Sequence, residues 1–326
     1  MLRIAVVEGR YGKVSINGAL AGQAAPWLDD LRHGAPLGTE LNARLRLLSE
    51  QPGVRAVAVL SPGDDIGEGD VAIDVQPERR FVGGLRLDNH GNAYAGRVRL
   101  TGQAAGQSLL RLGDRAGLVL GANSGNGWQG ALSYALPVGH RGVRVGGSIS
   151  QHRYQLGKDF KALEASGDVN AADLQLSWPI HRSAGLRLEG QVALELQRIR
   201  HLRGAVNVDD RRHGTATQLA INGSGSGSAG GAAGRLWIDA GHLTLLNAAQ
   251  LRFDAATART AGHYGRLGAD VSAITWLGGS TLFLRGAGQW SRANLDSSKK
   301  FVLGGADGVR AWPSGDGAGD DAALLQ

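Results

Sequence analysis

Read for its alternation of apolar and polar positions, most of the chain follows a period of two. Over Leu186–Gln197, Leu186, Leu188, Val192, Leu194 and Leu196 alternate with Arg187, Glu189, Gln191, Ala193, Glu195 and Gln197. Period two places alternate side chains on opposite faces of a strand. Twelve residues exceed the usual soluble strand of about 5–6 and suit a tilted strand crossing a bilayer, which needs about 9–11. The pattern recurs where Leu85 and Leu87 flank Arg86, where Val98 and Leu100 flank Arg99, and where Leu174, Leu176 and Trp178 oppose Asp173, Gln175 and Ser177. Leu282, Leu284 and Trp290 likewise oppose Arg285 and Gln289. About eleven such segments lie between Phe81 and Arg292.

The first eighty residues obey a different rhythm. Arg3–Gly9 and Lys13–Asn17 read as one or two strands, and AAPWLDDLRHG (24–34) as a helix with Pro26 near its start and Gly34 at its stop. Leu41, Leu45 and Leu48 form one face of a second helix that Thr39 can cap and Pro52–Gly53 end. Val54–Leu60, with Val54, Val57 and Val59, and Val71–Val75 are further strands around a turn-rich connector. A three-stranded sheet carrying two helices on one face is expected.

One wet and one apolar face suit a soluble sandwich or a membrane barrel with a polar interior. Tyr134, Trp178 and Trp276 near strand ends favour a barrel, as an aromatic girdle would. Alternating connections do so too: short at 136–139, 178–183 and 277–280, and long at 155–168, 199–213 and 297–320.

Composition narrows the choice. The 326 residues include 52 Gly and no Cys. Glycine at this level, against an ordinary ~7%, disfavours a helical protein but suits curving strands. The missing thiols exclude disulfides, thiolate metal sites and a cysteine nucleophile. The net charge of +6 is uneven: residues 1–80 hold 9 Lys and Arg against 11 Asp and Glu, and the remainder hold 26 against 18. The arginines of the basic part are dispersed rather than clustered, so no nucleic-acid partner is expected. The nine His show no metal-binding spacing, and no Ser/His/Asp arrangement stands out, so no enzyme, metal or cofactor is expected. GSGSGSAGG (223–231) reads as a flexible turn, and Asp209–Asp210 and Asp320–Asp321 as solvated loop acids. No apolar run is long enough for a transmembrane helix, and no signal peptide is visible. An open sheet edge cannot face lipid, and bacterial barrels close with an even strand count, so the chain is expected to be a fragment.

LGGADGVRAWP (303–313), followed by the acidic SGDGAGDDAALL (314–325), resembles the lumenal-loop signature of the two-partner secretion transporters of the outer membrane, the ShlB/FhaC/HecB haemolysin secretion/activation family. DNHGNAYAGRVRL (88–100) is similar to that family's first barrel hairpin, and residues 288–305 to its approach to the loop. The first module, with PGVRA (52–56), resembles its second POTRA domain. The resemblance implies a mainly β fold: a periplasmic α+β POTRA domain over 1–79, then over 80–326 about eleven of roughly sixteen strands of a transmembrane antiparallel barrel. It implies a loop folded into the lumen through Gly304, Gly305, Gly308, Val309, Arg310, Ala311 and Trp312, and a hairpin shaped by Asp88, Asn89, Gly91 and Gly96. Arg310 would pair with a lumenal acid on a late strand. Ala311 and Trp312 stand where the family usually has Gly and an aromatic Tyr or Phe.

The implied function is a pore in a Gram-negative outer membrane, surrounded by lipid, that exports an unfolded, β-rich partner exoprotein of haemolysin or adhesin type without ATP. An outer-membrane assembly insertase is the alternative within the superfamily. A plain porin or a soluble β-sandwich adhesin is the alternative outside it.

Overall fold

In the computed structural model, residues 8–38 and 40–326 are described. The expected strand at Arg3–Gly9 lies almost wholly outside them, as does the capping role of Thr39. The chain divides into two compact units, one of Met1–Val82 with Ala105–Ala116 and Tyr134–Arg144, the other of the remaining residues.

In the first unit, β1 (Arg10–Asn17), β2 (Val54–Pro62) and β3 (Glu68–Pro77) form a sheet in the order β1-β3-β2. β1 runs parallel to β3 and β2 antiparallel to it. The helices are α1 (Ala21–Ala24), which tightens into a 3-10 turn at Ala25–Trp27, and α2 (Glu40–Ser49). The 24–34 segment is therefore not the expected helix. Helix formation begins upstream at Ala21, so Pro26 arrives as a breaker without an N–H to donate, and the chain continues in turns. Leu28 and Leu31 are nonetheless buried with Trp27, Leu48, Val71, Ile73 and Val75.

On β2 the valines divide between two faces. Val54, Ala56 and Ala58 share the core side, while Val57 and Val59 are 47% and 62% exposed on the other. Strict alternation from the buried Val54 requires this parity. Leu112, from a turn inside the same unit, completes the core. Beside it the carboxylate of Asp114 is buried and accepts the amides of Leu109, Leu110 and Arg111 at 2.7, 3.0 and 3.0 Å.

The second sheet is a meander of β4 (Phe81–Asp88), β5 (Arg99–Gln107), β6 (Arg115–Asn123), β7 (Trp128–Val138), β8 (Val143–Gln155), β9 (Ala165–Arg182), β10 (Leu186–Arg203), β11 (Val208–Gly227), β12 (Gly230–Leu245), β13 (Gly262–Leu277) and β14 (Ser280–Ser291). These are the eleven expected strands. A short hairpin of β15 (Phe301–Val302) and β16 (Ala318–Gly319) follows, and β17 (Ala322–Leu325) then pairs antiparallel with β14. A helix that the apolar pattern did not signal, α3 (Ala248–Ala256), lies between β12 and β13.

Strands β9 to β13 contain 16 to 20 residues, more than the roughly 9–11 that span a bilayer. Two expected loops disappear into that length. Residues 199–213 are largely strand, with Arg200 opposite Arg211 and a connection of only 204–207. Arg200 and Arg211 both bind the Asp209 carboxylate, which bridges the juxtaposed arginines and offsets part of their repulsion. The glycine-rich 223–231 segment is also strand, turning only at 228–229.

One face of this sheet exposes Leu194, Leu196, Leu219, Ile221, Leu236, Ile238 and Leu267. The other carries Glu195, Arg212, Asp239, Arg266 and Gln289, joined by ion pairs and hydrogen bonds. Glycine lets bulky groups fit there: Trp237 lies against Gly268, where a Cβ would come within 2.0 Å of the indole. Trp178 is on the exposed aliphatic face, as a girdle residue would be, whereas Trp276 shares strand parity with Arg266 and Asp270 and so belongs to the opposite face. Tyr134 is not a girdle residue; its hydroxyl donates to Asp114 at 2.7 Å.

Candidate functional site

The polar face of the second sheet is occupied by the segment between β14 and β17. Leu295 is buried and its amide donates to Asp320 at 3.0 Å. Lys299 reaches the Glu195 carboxylate on β10. Asp296 pairs with Arg212 on β11 and accepts the Ser298 amide at 3.0 Å. On β13, Arg266 binds Asp239 at 2.8 Å, Gln289 at 3.0 Å and the Lys299 carbonyl at 2.9 Å. Lys300 closes the segment on Asp320 at 2.8 Å.

These charges are largely withdrawn from water, so each needs its partner; an isolated buried charge is costly. Asp210 and Asp320 are therefore not solvated loop acids, whereas Asp321 is exposed as expected. Asp210 is buried against Arg212, Asp320 holds Lys300 and Leu295, and Asp321 accepts the Ser291 amide at 2.7 Å.

The LGGADGVRAWP motif forms a tight backbone knot inside this segment. Val309 donates to the Leu303 carbonyl at 2.7 Å, Trp312 to Val309 at 3.0 Å, and Gly304 to Asp316 at 2.9 Å. Its glycines are dictated by space. A Cβ at Gly308 would lie 2.0 Å from the Leu303 oxygen, and one at Gly304 2.4 Å from the Pro313 oxygen. Gly305 has φ +118°, which a side chain strains. Ala311 needs no such freedom: it is absent from the positive-φ positions. The knot is held to the sheet by Arg285, which donates to the Asp307 carbonyl at 2.5 Å while pairing with Asp270 at 2.6 Å. Gln326 donates to the Gly308 carbonyl.

The knot is seated on the DNHGNAYAG hairpin. Asp88 is gripped by Arg86 and Arg99, each at 2.9 Å, and accepts the His90 amide at 3.0 Å. Gly91 and Gly96 permit the close return of the chain, since a Cβ at Gly91 would lie 2.0 Å from the Gly96 oxygen and Gly96 has φ +118°. Two residues outside the expected set join the motifs. Asn92 donates to the Ser314 carbonyl at 2.8 Å while its own oxygen accepts the Tyr94 amide, and Ser314 donates to the His90 carbonyl at 2.7 Å.

A cavity of about 680 Å³ lies between motif and hairpin. Asn89, Arg310, Ala311 and Trp312 line it together with Arg86 and Arg97. Arg310 is exposed there and forms no ion pair among the described residues; the guanidinium that holds the motif to the sheet is Arg285, through the Asp307 carbonyl. Thus the structure brings the two motifs together, although they are more than two hundred residues apart. Glu195, Arg212, Asp296 and Lys299 were not legible as partners. Asn92 carried a weak signal, since Asn before a turn commonly bonds its own backbone.

A family model described as "Haemolysin secretion/activation protein ShlB/FhaC/HecB" matches residues 67–326. The chain is 26% identical over 336 residues to the heme/hemopexin transporter protein HuxB of Haemophilus influenzae, covering 100% of this chain and 59% of that protein. Among solved structures it is similar to CdiB from Escherichia coli, at TM-score 0.79 and 18% identity, covering 98% of this chain and 61% of the other. BamA from Haemophilus ducreyi lacking POTRA domains 1–3 matches at TM-score 0.54 and 13% identity, covering 91% and 59%. The chain thus spans about three fifths of the length of these relatives.

Proposed function

The chain belongs to the haemolysin secretion/activation family ShlB/FhaC/HecB, and from that premise we propose that it is the POTRA and pore portion of an outer-membrane exporter. Its family is one of secretion channels and not of enzymes. The observation that carries the reading is the seating of residues 292–321 on the polar face of the barrel sheet, through Lys299–Glu195, Arg212–Asp296 and Arg266–Lys299. In this reading the polar face lines the pore, the seated segment narrows it, and the knot at 303–313 holds the segment on the first hairpin. Arg310, Ala311 and Trp312 then face the space through which a client passes. The exposed aliphatic face meets membrane lipid.

The POTRA unit, placed in the periplasm, receives the client by strand addition, which uses main-chain hydrogen bonds and tolerates varied side chains. The β2 edge suits this role better than β1. Backbone bonds from Gly34–Leu37 cover the start of β1, including Tyr11 to Ala35 at 2.9 Å. Beside the β2 edge, Val57 and Val59 lie exposed. The client is an unfolded, β-rich exoprotein of haemolysin or adhesin type, and its folding outside the cell gives export a direction without ATP.

A photo-crosslinking amino acid at position 59 of the full-length transporter, in cells, tests this reading. Capture of one large β-rich secreted protein is expected. Capture of a mixture of barrel precursors would instead identify an assembly insertase, and no capture would remove the POTRA role.

A further inference from the structure

The exposed face of the barrel sheet contains a concavity of about 740 Å³. Its walls are Leu120, Trp128, Leu132, Ile149 and Leu196, all at least 40% exposed, and small residues at Gly130 and Ala172 leave its floor open. Its chemistry changes at one end, where Arg198 and His213 sit directly opposite each other on β10 and β11. Both lie on the exposed face, in register with Leu196 and Thr215.

The surrounding cations already have carboxylate partners: Arg200 and Arg211 share Asp209 at 2.9 and 2.7 Å, and Arg153 lies 3.8 Å from Asp168. Arg198 and His213 have no hydrogen-bond or ion-pair partner among the described residues. A cation at the rim of a lipid-facing groove attracts an anionic headgroup, and a guanidinium matches phosphate geometry through paired N–H donors. An apolar groove ending in an unmatched cation therefore complements an amphiphile, with a chain in the groove and a phosphate at the rim.

We propose that this groove is a binding site for an anionic, phosphate-bearing membrane lipid, with one acyl chain over Gly130 and Ala172 and the headgroup phosphate on Arg198 and His213. The proposal rests on the outer-membrane placement above. It adds a site on the outside of the barrel, away from the client path.

The full-length transporter, inserted in vesicles of phosphatidylcholine containing a tenth part phosphatidylglycerol and released in detergent for native mass spectrometry, tests it. Retention of phosphatidylglycerol at least five-fold above its share is expected, and Arg198→Ala with His213→Ala should abolish the preference. Ala172→Phe, which fills the floor and leaves the charges, should reduce retention of that lipid at least three-fold. Equal retention of both lipids, or a preference unchanged in the Arg198/His213 variant, would overturn the groove while leaving the pore intact. Failure of the full-length transporter to insert would overturn the membrane placement, and the groove with it.

Discussion

Lys299 Nζ sits 2.8 and 2.7 Å from the two carboxylate oxygens of Glu195, across 104 residues of sequence. The pair ties the segment after β14 to the middle of β10, with the Lys299 side chain only 10% exposed. Lys299→Glu places two carboxylates together and should unseat the segment. In planar bilayers the variant's mean conductance should rise at least two-fold, and adding Glu195→Lys should restore the original value. Unchanged conductance in the single variant would remove the pair from the closure.

Gly308 and Ala311 make opposite predictions within one motif. Gly308→Ala puts a Cβ against the Leu303 carbonyl, an overpacking that costs about 1–3 kcal/mol and should expose the 303–313 segment to protease. Ala311→Gly should leave digestion unchanged, because position 311 does not use positive φ. Limited proteolysis followed by mass spectrometry reads both.

Asp114 gives the first unit an acid limit. Burial alone would raise its carboxyl, but the hydrogen bonds from Tyr134 and from the amides of Leu110, Leu109 and Arg111 outweigh it and hold the carboxyl below its ordinary value. A depressed folded value means the stabilisation is complete above the unfolded carboxylate pKa of about 3.9 and is lost as pH falls through the folded one. Resistance to urea should thus drop from about pH 4 downward, and Asp114→Asn should flatten that dependence. Asp114→Ala at pH 7, which leaves buried amides unpaired, should cost about 2–3 kcal/mol.

How much of this was legible depended on the range of the information. The eleven strands were, because period two is local and each strand repeats it. The motif glycines were too, through the family pattern, and the structure supplies their reasons as close carbonyl oxygens and positive φ. Pro26 misled because one residue suits either the start or the end of a helix, and only the upstream turn at Ala21 decides. Val57 and Val59 lie outside the core because parity with the buried Val54 decides the face of β2. The ion pairs were invisible for a stronger reason. Whether Asp210 or Asp320 is solvated depends on a segment arriving from elsewhere in the chain, and nothing adjacent to either residue encodes that arrival.

Asn92 and Ser314 should be separable from the motif they join. Asn92→Ala removes the bond to the Ser314 carbonyl and the turn it caps, costing about 1–2 kcal/mol. Ser314→Ala removes only the donor to His90 and should cost less. Hydrogen exchange over 303–316 should quicken more in the first variant than in the second, and the reverse order would contradict the assigned geometry.

In the proposed reading the seated segment narrows the pore, and from this we infer that it must shift on the first hairpin for a client to pass. These 326 residues contain no cysteine, so a pair introduced as Asn92→Cys and Ser314→Cys in the full-length transporter can tether the knot to the first hairpin without competing thiols from this part of the chain. Secretion of the partner exoprotein into the medium should stop when the tether is oxidised and resume on reduction, with each single variant secreting normally in both states. Equal secretion from the oxidised and reduced double variant, with the tether verified by mass spectrometry, would contradict the account.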